Sequence, residues 1–359
     1  MEKQRLSSID MMKTIAIFFV IIYHGALFSN DFLEKADLIC YGRYYVRTIL
    51  STCTPLFFFV NGYLLFGKSF DLQKHVYKMV RLTALSVIWA IIALLFLQII
   101  HDEYLSLIDF IKAIWHWKVG WINYLWYMGA LVCIYVFFPL LKNAYDTSFK
   151  TFLYFTILCC LFTFGNAFLN HAGTVFSGLL LKEPVVFSGE NFFNIYNPFR
   201  GIHGFTFGYF CIGGVVHHFQ SVIERINVRT RNLLAVLGIA LSCLGLFWTG
   251  ICYSKAEGSV WSVVWQGYDS IFTLINVLCI FILCLNWKKD SRMIREISGN
   301  TLGIYFIHYI LISALRPQIQ RYDFLSTFSF TVVFASVVLT ASLMICLVMK
   351  KCPVLSKLI

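Results

Sequence analysis

The stretch Asp10-Met11-Met12-Lys13-Thr14-Ile15-Ala16-Ile17-Phe18-Phe19-Val20-Ile21-Ile22-Tyr23-His24 decides how the rest of the chain is read. Its apolar run continues to Phe28, long enough to enter a bilayer, yet it carries three ionisable side chains. At 100° per residue, the eleven steps from Lys13 to His24 complete three turns with about 20° to spare. Asp10 falls within about 40° of the same line. One face of a membrane helix therefore holds a charge pair near one surface and an imidazole about 16 Å further along the axis. Ionisable groups in lipid cost on the order of 2.5–3.5 kcal/mol each, so such a face turns toward a protein interior or a water-filled cavity. The spacing points to a reaction site inside a membrane protein.

Composition agrees with that reading. A chain of 359 residues, 59% apolar and 13% charged, with a mean hydropathy of +0.74, lies outside the soluble globular range. No linker rich in Pro, Gly or Ser divides it and no repeat is visible, so one integral membrane domain over residues 1–359 is expected. The net charge of +11 is not gathered into a stripe on a soluble face, and no nucleic-acid partner is expected. Most Cys residues lie inside apolar runs, where they act as small hydrophobes. No Cys-x-x-Cys or Cys/His ligand spacing occurs, so no metal is expected. Cys40 and Cys252 both fall near the expected outer surface, which leaves a disulfide open there. Lys3 and Arg5 ahead of the first apolar run imitate a signal peptide. Lys13 inside that run, and the lack of a small-x-small site after it, argue against cleavage.

Windows of about 20 residues match a bilayer core of about 30 Å. They give ten expected spans: 11–29, 48–66, 82–100, 122–141, 151–170, 202–219, 232–252, 269–286, 300–316 and 326–349. The fold class expected is an all-α polytopic membrane protein of about ten transmembrane helices; the runs are too long and too continuous for barrel strands. With the N-terminus inside, 19 of the 29 Lys and Arg residues fall in inner segments, which supports cytoplasmic N- and C-termini. Lys13 is then near the inner surface and His24 in the outer half. The longest outer loop, about 171–201, contains Glu190-Asn191-Phe192-Phe193-Asn194-Ile195-Tyr196-Asn197.

Four segments in order carry a family likeness. They are Arg5 to His24, Thr54-Pro55-Leu56-Phe57-Phe58-Phe59-Val60-Asn61-Gly62-Tyr63, Leu125-Trp126-Tyr127 through Tyr135 to Pro139-Leu140, and Thr301-Leu302-Gly303-Ile304-Tyr305-Phe306-Ile307-His308 followed by Ala314-Leu315-Arg316. Together they resemble the membrane acyltransferase-3 family, and within it the enterobacterial common antigen O-acetyltransferase type. The resemblance implies transfer of an acyl group, usually acetyl from cytosolic acetyl-CoA, to a hydroxyl of a glycan or lipid-linked saccharide beyond a bacterial cytoplasmic (inner) membrane. It implies His24 as the catalytic histidine and Lys13 as its basic partner. The chain departs from the family in having Lys where Arg is usual, which removes a bidentate fork. It also has Tyr124 where many relatives have His.

Each residue has a plainer reading beside the functional one. His24 is either an interior histidine bonded to a neighbouring helix, or a base that takes a hydroxyl proton or carries the acetyl group itself. Lys13 and Asp10 are either interface anchors, or a pair in which Lys13 holds a CoA phosphate or carbonyl and Asp10 fixes it. His308 is an interhelical polar bond or a second acid/base group. Arg316 is an anchor, an oxyanion stabiliser or a site for an anionic acceptor. Arg81, with Lys74, Lys78, Arg292 and Arg295, either sets topology or supplies cations for the CoA phosphates. Trp115, Trp117, Trp121 and Trp126 form an interface belt or stack on sugar, with Tyr127 beside Trp126 and Phe192, Phe193 and Tyr196 as helpers. Pro55 and Asn61-Gly62 are read as kinking and close-packing their helix. The expectation is an O-acyltransferase. The rivals are a transporter or flippase of lipid-linked sugars, for which paired broken helices are missing, and a polysaccharide polymerase.

Overall fold

The computed structural model describes residues 6–116, 120–181, 184–187 and 192–359. Lys3, Arg5, Trp117, Lys182 and the Glu190-Asn191 pair lie outside the described residues, as does the side chain of Phe192. In chain order the helices are α1 (Ser7–His24), α2 (Leu38–Leu50), α3 (Cys53–Phe66), α4 (Leu72–His101), α5 (Leu107–His116), α6 (Trp126–Thr147), α7 (Phe149–Cys160) and α8 (Asn166–Leu180). There follow α9 (Phe192–Tyr196), α10 (Ile202–His218), α11 (Gln220–Arg225), α12 (Val228–Glu257), α13 (Ile271–Leu285), α14 (Arg292–Gly299), α15 (Thr301–Ile319) and α16 (Phe328–Met349). Among the described residues there is no strand.

Among the described residues, eight helical stretches are long and apolar enough to cross a membrane: Ser7–His24, Leu38–Phe66, Leu72–His101, Leu107–Thr147, Phe149–Leu180, Val228–Glu257, Thr301–Ile319 and Phe328–Met349. The two other expected spans, 202–219 and 269–286, fall on α10 and α13, which have 17 and 15 residues. Both are short of the roughly 20 residues that a full crossing asks for. Large apolar side chains such as Leu95, Phe96 and Ile99 on α4, Leu241 and Leu244 on α12, and Val333 and Val337 on α16 are exposed, as lipid-facing positions are.

The second expected span begins earlier than its hydropathy suggests. Helix α2 starts at Leu38, where the Asp37 carboxylate caps it by accepting from the Cys40 amide at 2.7 Å. Arg43 and Arg47 dilute the apolar signal of this helix and hid it. The chain breaks at Ser51-Thr52, and Pro55 falls in the first turn of α3. A missing N–H costs nothing there, so Pro55 starts a helix and does not kink one. Helix α4 has 30 residues, capped by Asp71. That is about 45 Å at 1.5 Å per residue, more than a bilayer core needs, and its first turns carry Lys74, Lys78 and Arg81.

Two compact units organise the helices. The first comprises the chain to Phe19, Ser29–Lys68 and Asn143–Ser291. Its core is the α3–α10 pair. A Cβ on Gly62 would stand 1.8 Å from the Phe210 carbonyl oxygen, and one on Gly213 would stand 2.2 Å from that of Phe59. Only glycine lets the two backbones meet so closely. Phe66 closes the pair against Phe152 and Phe210, with ring centroids 4.7 and 5.3 Å away. Buried Arg231 of α12 donates to the Asn286 side-chain oxygen at 2.6 Å and to the Ile223 carbonyl at 3.0 Å. A turn of π-helix, Leu161–Gly165, joins α7 to α8. Cys40 and Cys252 are free, buried thiols, so no disulfide joins them.

The second unit comprises Val20–Phe28, Ser69–Lys142 and Arg292–Ile359. Pro139 lies inside α6 and has no N–H, which would orphan the Tyr135 carbonyl four residues back. His75 of α4 donates Nε2–H to that carbonyl at 2.7 Å, repairing the loss and fastening α4 to α6. Trp89 of α4 stacks on Phe306 of α15 at 5.2 Å, and its indole N–H donates to the Leu358 carbonyl at 2.8 Å. The chain just past α1 is held by α16, with the Leu27 amide donating to Thr331 Oγ1 at 3.1 Å.

Candidate functional site

The second unit gathers His24, at the last position of α1, with His308 and Tyr309 of α15. The His24 ring lies 5.5 Å from that of His308 and 5.5 Å from that of Tyr309, centroid to centroid. Tyr124, in a short 3-10 turn ahead of α6, stacks on Tyr309 at 4.7 Å and meets the His308 ring edge-on at 5.6 Å. Its hydroxyl donates to the Phe306 carbonyl at 3.1 Å, and the Tyr305 hydroxyl donates to the Tyr124 carbonyl. Two reciprocal bonds thus lock this turn against α15. Tyr127 adds an edge-on contact to Tyr305 at 5.4 Å.

His308 is fully buried, and its Nδ1 lies 2.6 Å from the Tyr305 carbonyl oxygen. A carbonyl only accepts, so Nδ1 carries the proton in the neutral ring and Nε2 keeps its lone pair. That Nε2 is buried and, among the described residues, has no hydrogen-bond partner. A buried polar atom left unsatisfied costs about 1–3 kcal/mol; His171 Nδ1 of the first unit is another such atom, so what distinguishes His308 is the second imidazole beside it. His24 is only half-buried. The arrangement is one oriented, proton-accepting nitrogen behind a second imidazole, walled by tyrosine rings.

The remaining expected residues fall as follows. Lys13, half-buried, and Asp10, buried, sit on the part of α1 assigned to the first unit; the Asp10 carbonyl accepts from Thr14 Oγ1 at 2.9 Å. Lys13 precedes His24 by eleven residues on one unbroken helix. Lys78 donates to the Tyr135 hydroxyl at 3.0 Å and lies 5.0 Å from the centre of that ring. Arg81, one turn on, is exposed, as is Arg292 at the start of α14. Trp126 is half-buried at the start of α6. Arg316, two turns after His308, reaches the Gln320 side-chain oxygen from Nε at 3.1 Å and from Nη2 at 3.3 Å once that amide is turned to accept. Trp121 stacks on His101 at 5.1 Å, while Trp115 is exposed.

The structure therefore brings together His24, His308 and Tyr127, and adds Tyr124, Tyr305 and Tyr309. Sequence reasoning missed Tyr305 and Tyr309 as site residues. With 19 Tyr and 36 Phe in the chain, one more tyrosine carries no signal; only adjacency to His308 would have marked them. The model of a family described as an acyltransferase domain, type 3, matches residues 6–349. No curated protein and no solved structure gives a significant match.

Proposed function

The chain belongs to the acyltransferase-3 family, and from that premise we propose that it is a membrane O-acyltransferase moving acetyl from acetyl-CoA to a hydroxyl of a cell-surface glycan or lipid-linked saccharide. Its place would be a bacterial cytoplasmic membrane, both termini inside, as the distribution of Lys and Arg favours. The observation that carries the reading is the His24–His308 pair, with its tautomer fixed by the Tyr305 carbonyl and one basic nitrogen left bare.

In direct transfer, the acceptor hydroxyl gives its proton to an imidazole nitrogen of His24 as its oxygen bonds to the thioester carbon. The C–S bond then breaks, and the departing CoA thiolate takes the proton back from the imidazolium. In the covalent variant, a His24 nitrogen attacks the thioester carbon, the C–S bond breaks and CoA leaves as its thiol with the proton of the imidazole. The hydroxyl oxygen then bonds to the acetyl carbon of acetyl-His, the C–N bond breaks, and the hydroxyl proton returns to the imidazole. His308 serves either route as the second acid/base group. Lys78, Arg81 and Arg292, with Lys13 on the helix that carries His24, are the proposed contacts for the phosphates and carbonyls of CoA. Asp10 steadies Lys13. Trp126, Tyr127 and Arg316 are proposed for the acceptor. No metal enters either scheme.

The test is transfer of radiolabelled acetyl to endogenous glycan in membranes bearing wild-type, His24→Ala or His308→Ala protein. The variants are expected to lose transfer at normal abundance. Wild-type rates in His24→Ala would overturn the assignment.

A further inference from the structure

The first unit contains a cavity of about 510 Å³ that the acyl-transfer reading does not use. Its lining includes Asn166, Asn194, Arg200, Trp265, Gln266 and Asp269. These come from the first residue of α8, from α9 and the chain after it, and from the turn between α12 and α13. The cavity size lies in the range of sites for small organic ligands, but its walls mix amides, both charges and aromatic rings where drug-like sites are mostly apolar.

The frame around it is fixed. Asn197 donates from its side chain to the Phe162 carbonyl at 2.9 Å and accepts from the Phe199 amide at 2.7 Å. The Arg200 guanidinium donates to the Asn194 carbonyl at 2.5 Å, and the Asn166 amide donates to the Asn194 side-chain oxygen at 3.3 Å. Gly201, next to Arg200, takes φ +64°, which a side chain would resist. Phe162 and Thr163 reach the wall from the π-helical turn, a distortion that recurs at functional sites.

Inside that frame the charges are left over. Among the described residues, Asp269 has no ion pair and no hydrogen bond from another residue, although Arg200 lines the same cavity. Burial pushes the Asp269 carboxyl up to about 6. An unpaired carboxyl in such a place costs free energy unless something meets it. Trp265 is exposed at 42% beside it, edge-on to Tyr268 at 5.7 Å.

We propose that this cavity is a saccharide-binding site, in which Asp269 and the surrounding amides take the vicinal hydroxyls of a pyranose and Trp265 packs on its C–H face. A carboxylate accepts two hydroxyls at once, side-chain amides donate and accept, and an indole face suits the apolar side of a sugar ring. Arg200 at the rim favours a sugar with a carboxylate or phosphate substituent. The proposal goes beyond acyl transfer and does not need it.

The experiment uses the full chain purified in detergent, fluorescently labelled, on a glycan array carrying neutral and acidic oligosaccharides, with no acyl donor present. Wild-type protein is expected to be retained by at least one group of related glycans. Asp269→Ala and Trp265→Ala should weaken retention tenfold or more, and Arg200→Ala should weaken it on acidic members only. His24→Ala should be retained like wild type, so failure of the histidine assignment leaves this readout untouched. Folding is monitored by gel filtration, with Asp269→Asn as the conservative variant. Retention of no oligosaccharide by folded wild-type protein, or equal retention of the Asp269→Ala and Trp265→Ala proteins, overturns the proposal.

Discussion

The histidine box of the second unit and the cavity of the first obtain their polarity in opposite ways. The box has few polar atoms, and long helices plus one locked turn hold them among rings. One buried nitrogen without a hydrogen-bond partner among the described residues, His308 Nε2, is oriented by the backbone carbonyl that meets Nδ1. The cavity has many polar atoms, carried on turns and short helices and adjusted by a π-helical turn and a glycine at positive φ. Rigid elements suit a proton transfer that needs fixed geometry. Loop-borne amides and charges suit recognition of a ligand with many hydroxyls. On the proposed readings one region serves chemistry and the other selection, and each prediction below tests that division.

The largest effect is expected at His24. Removing a positioned general base costs about 10²–10⁴-fold, so labelled-acetyl transfer by His24→Ala should fall by that order while retention on the glycan array stays unchanged. Loss of both readouts together would break the separation of roles. The next effect is at His308. His308→Phe keeps the aromatic wall but removes both nitrogens, and should slow transfer by about 1–3 kcal/mol, roughly fivefold to 150-fold. A merely structural His308 would instead lower the melting temperature in detergent and leave turnover per folded molecule intact.

How much of this was legible in the sequence follows the same division. The box was half visible because His24 and His308 each stand out in an apolar run. Tyr124 was noticed only as a departure from a family pattern, and its stacking on Tyr309 depends on a tertiary meeting of two distant segments. The cavity was almost invisible. Asn194 and Asn197 lay in a loop singled out for its aromatics, yet neither Phe193 nor Tyr196 lines the cavity and the asparagines do. Asp269 fell at the edge of an expected span, where nothing in hydropathy distinguishes a half-buried cavity acid from a surface loop residue. The helical class and most crossings were legible because burial in lipid demands length and apolarity. The α2 start, with its two arginines, was not, and α10 and α13, though read at 202–219 and 269–286, are shorter than a full crossing.

A mid-sized effect should appear at the α3–α10 contact. Gly62→Ala forces a methyl into the Phe210 carbonyl, and overpacking of this kind costs about 1–3 kcal/mol or more. The variant should melt at lower temperature in detergent. Because α10 supplies Ile202 and Phe205 to the cavity wall, saccharide retention should weaken with it. Gly129, which has open space around its Cα, gives the control: Gly129→Ala should change neither readout.

The smallest expected effect is a pH dependence of stability from Asp269. Its folded carboxyl is raised from 3.8 to about 6 by burial. Between those values the folded state holds the proton more tightly than the unfolded chain does. Stability therefore falls as pH rises through that window, and above it the ionised, half-buried carboxylate opposes folding throughout. Arg200 and Tyr268 line the same cavity wall, and the Tyr209 and Tyr253 hydroxyls also lie near Asp269. Asp269→Asn should abolish this part of the pH slope and be the more stable protein at pH 7, by thermal melting in detergent across pH 4–7. A bound saccharide that donates hydroxyls to the carboxylate should shrink the slope in wild type and leave Asp269→Asn unaffected. An unchanged slope in Asp269→Asn would show that the carboxyl is already satisfied, and with it the strongest reason for reading the cavity as a site for selection would go.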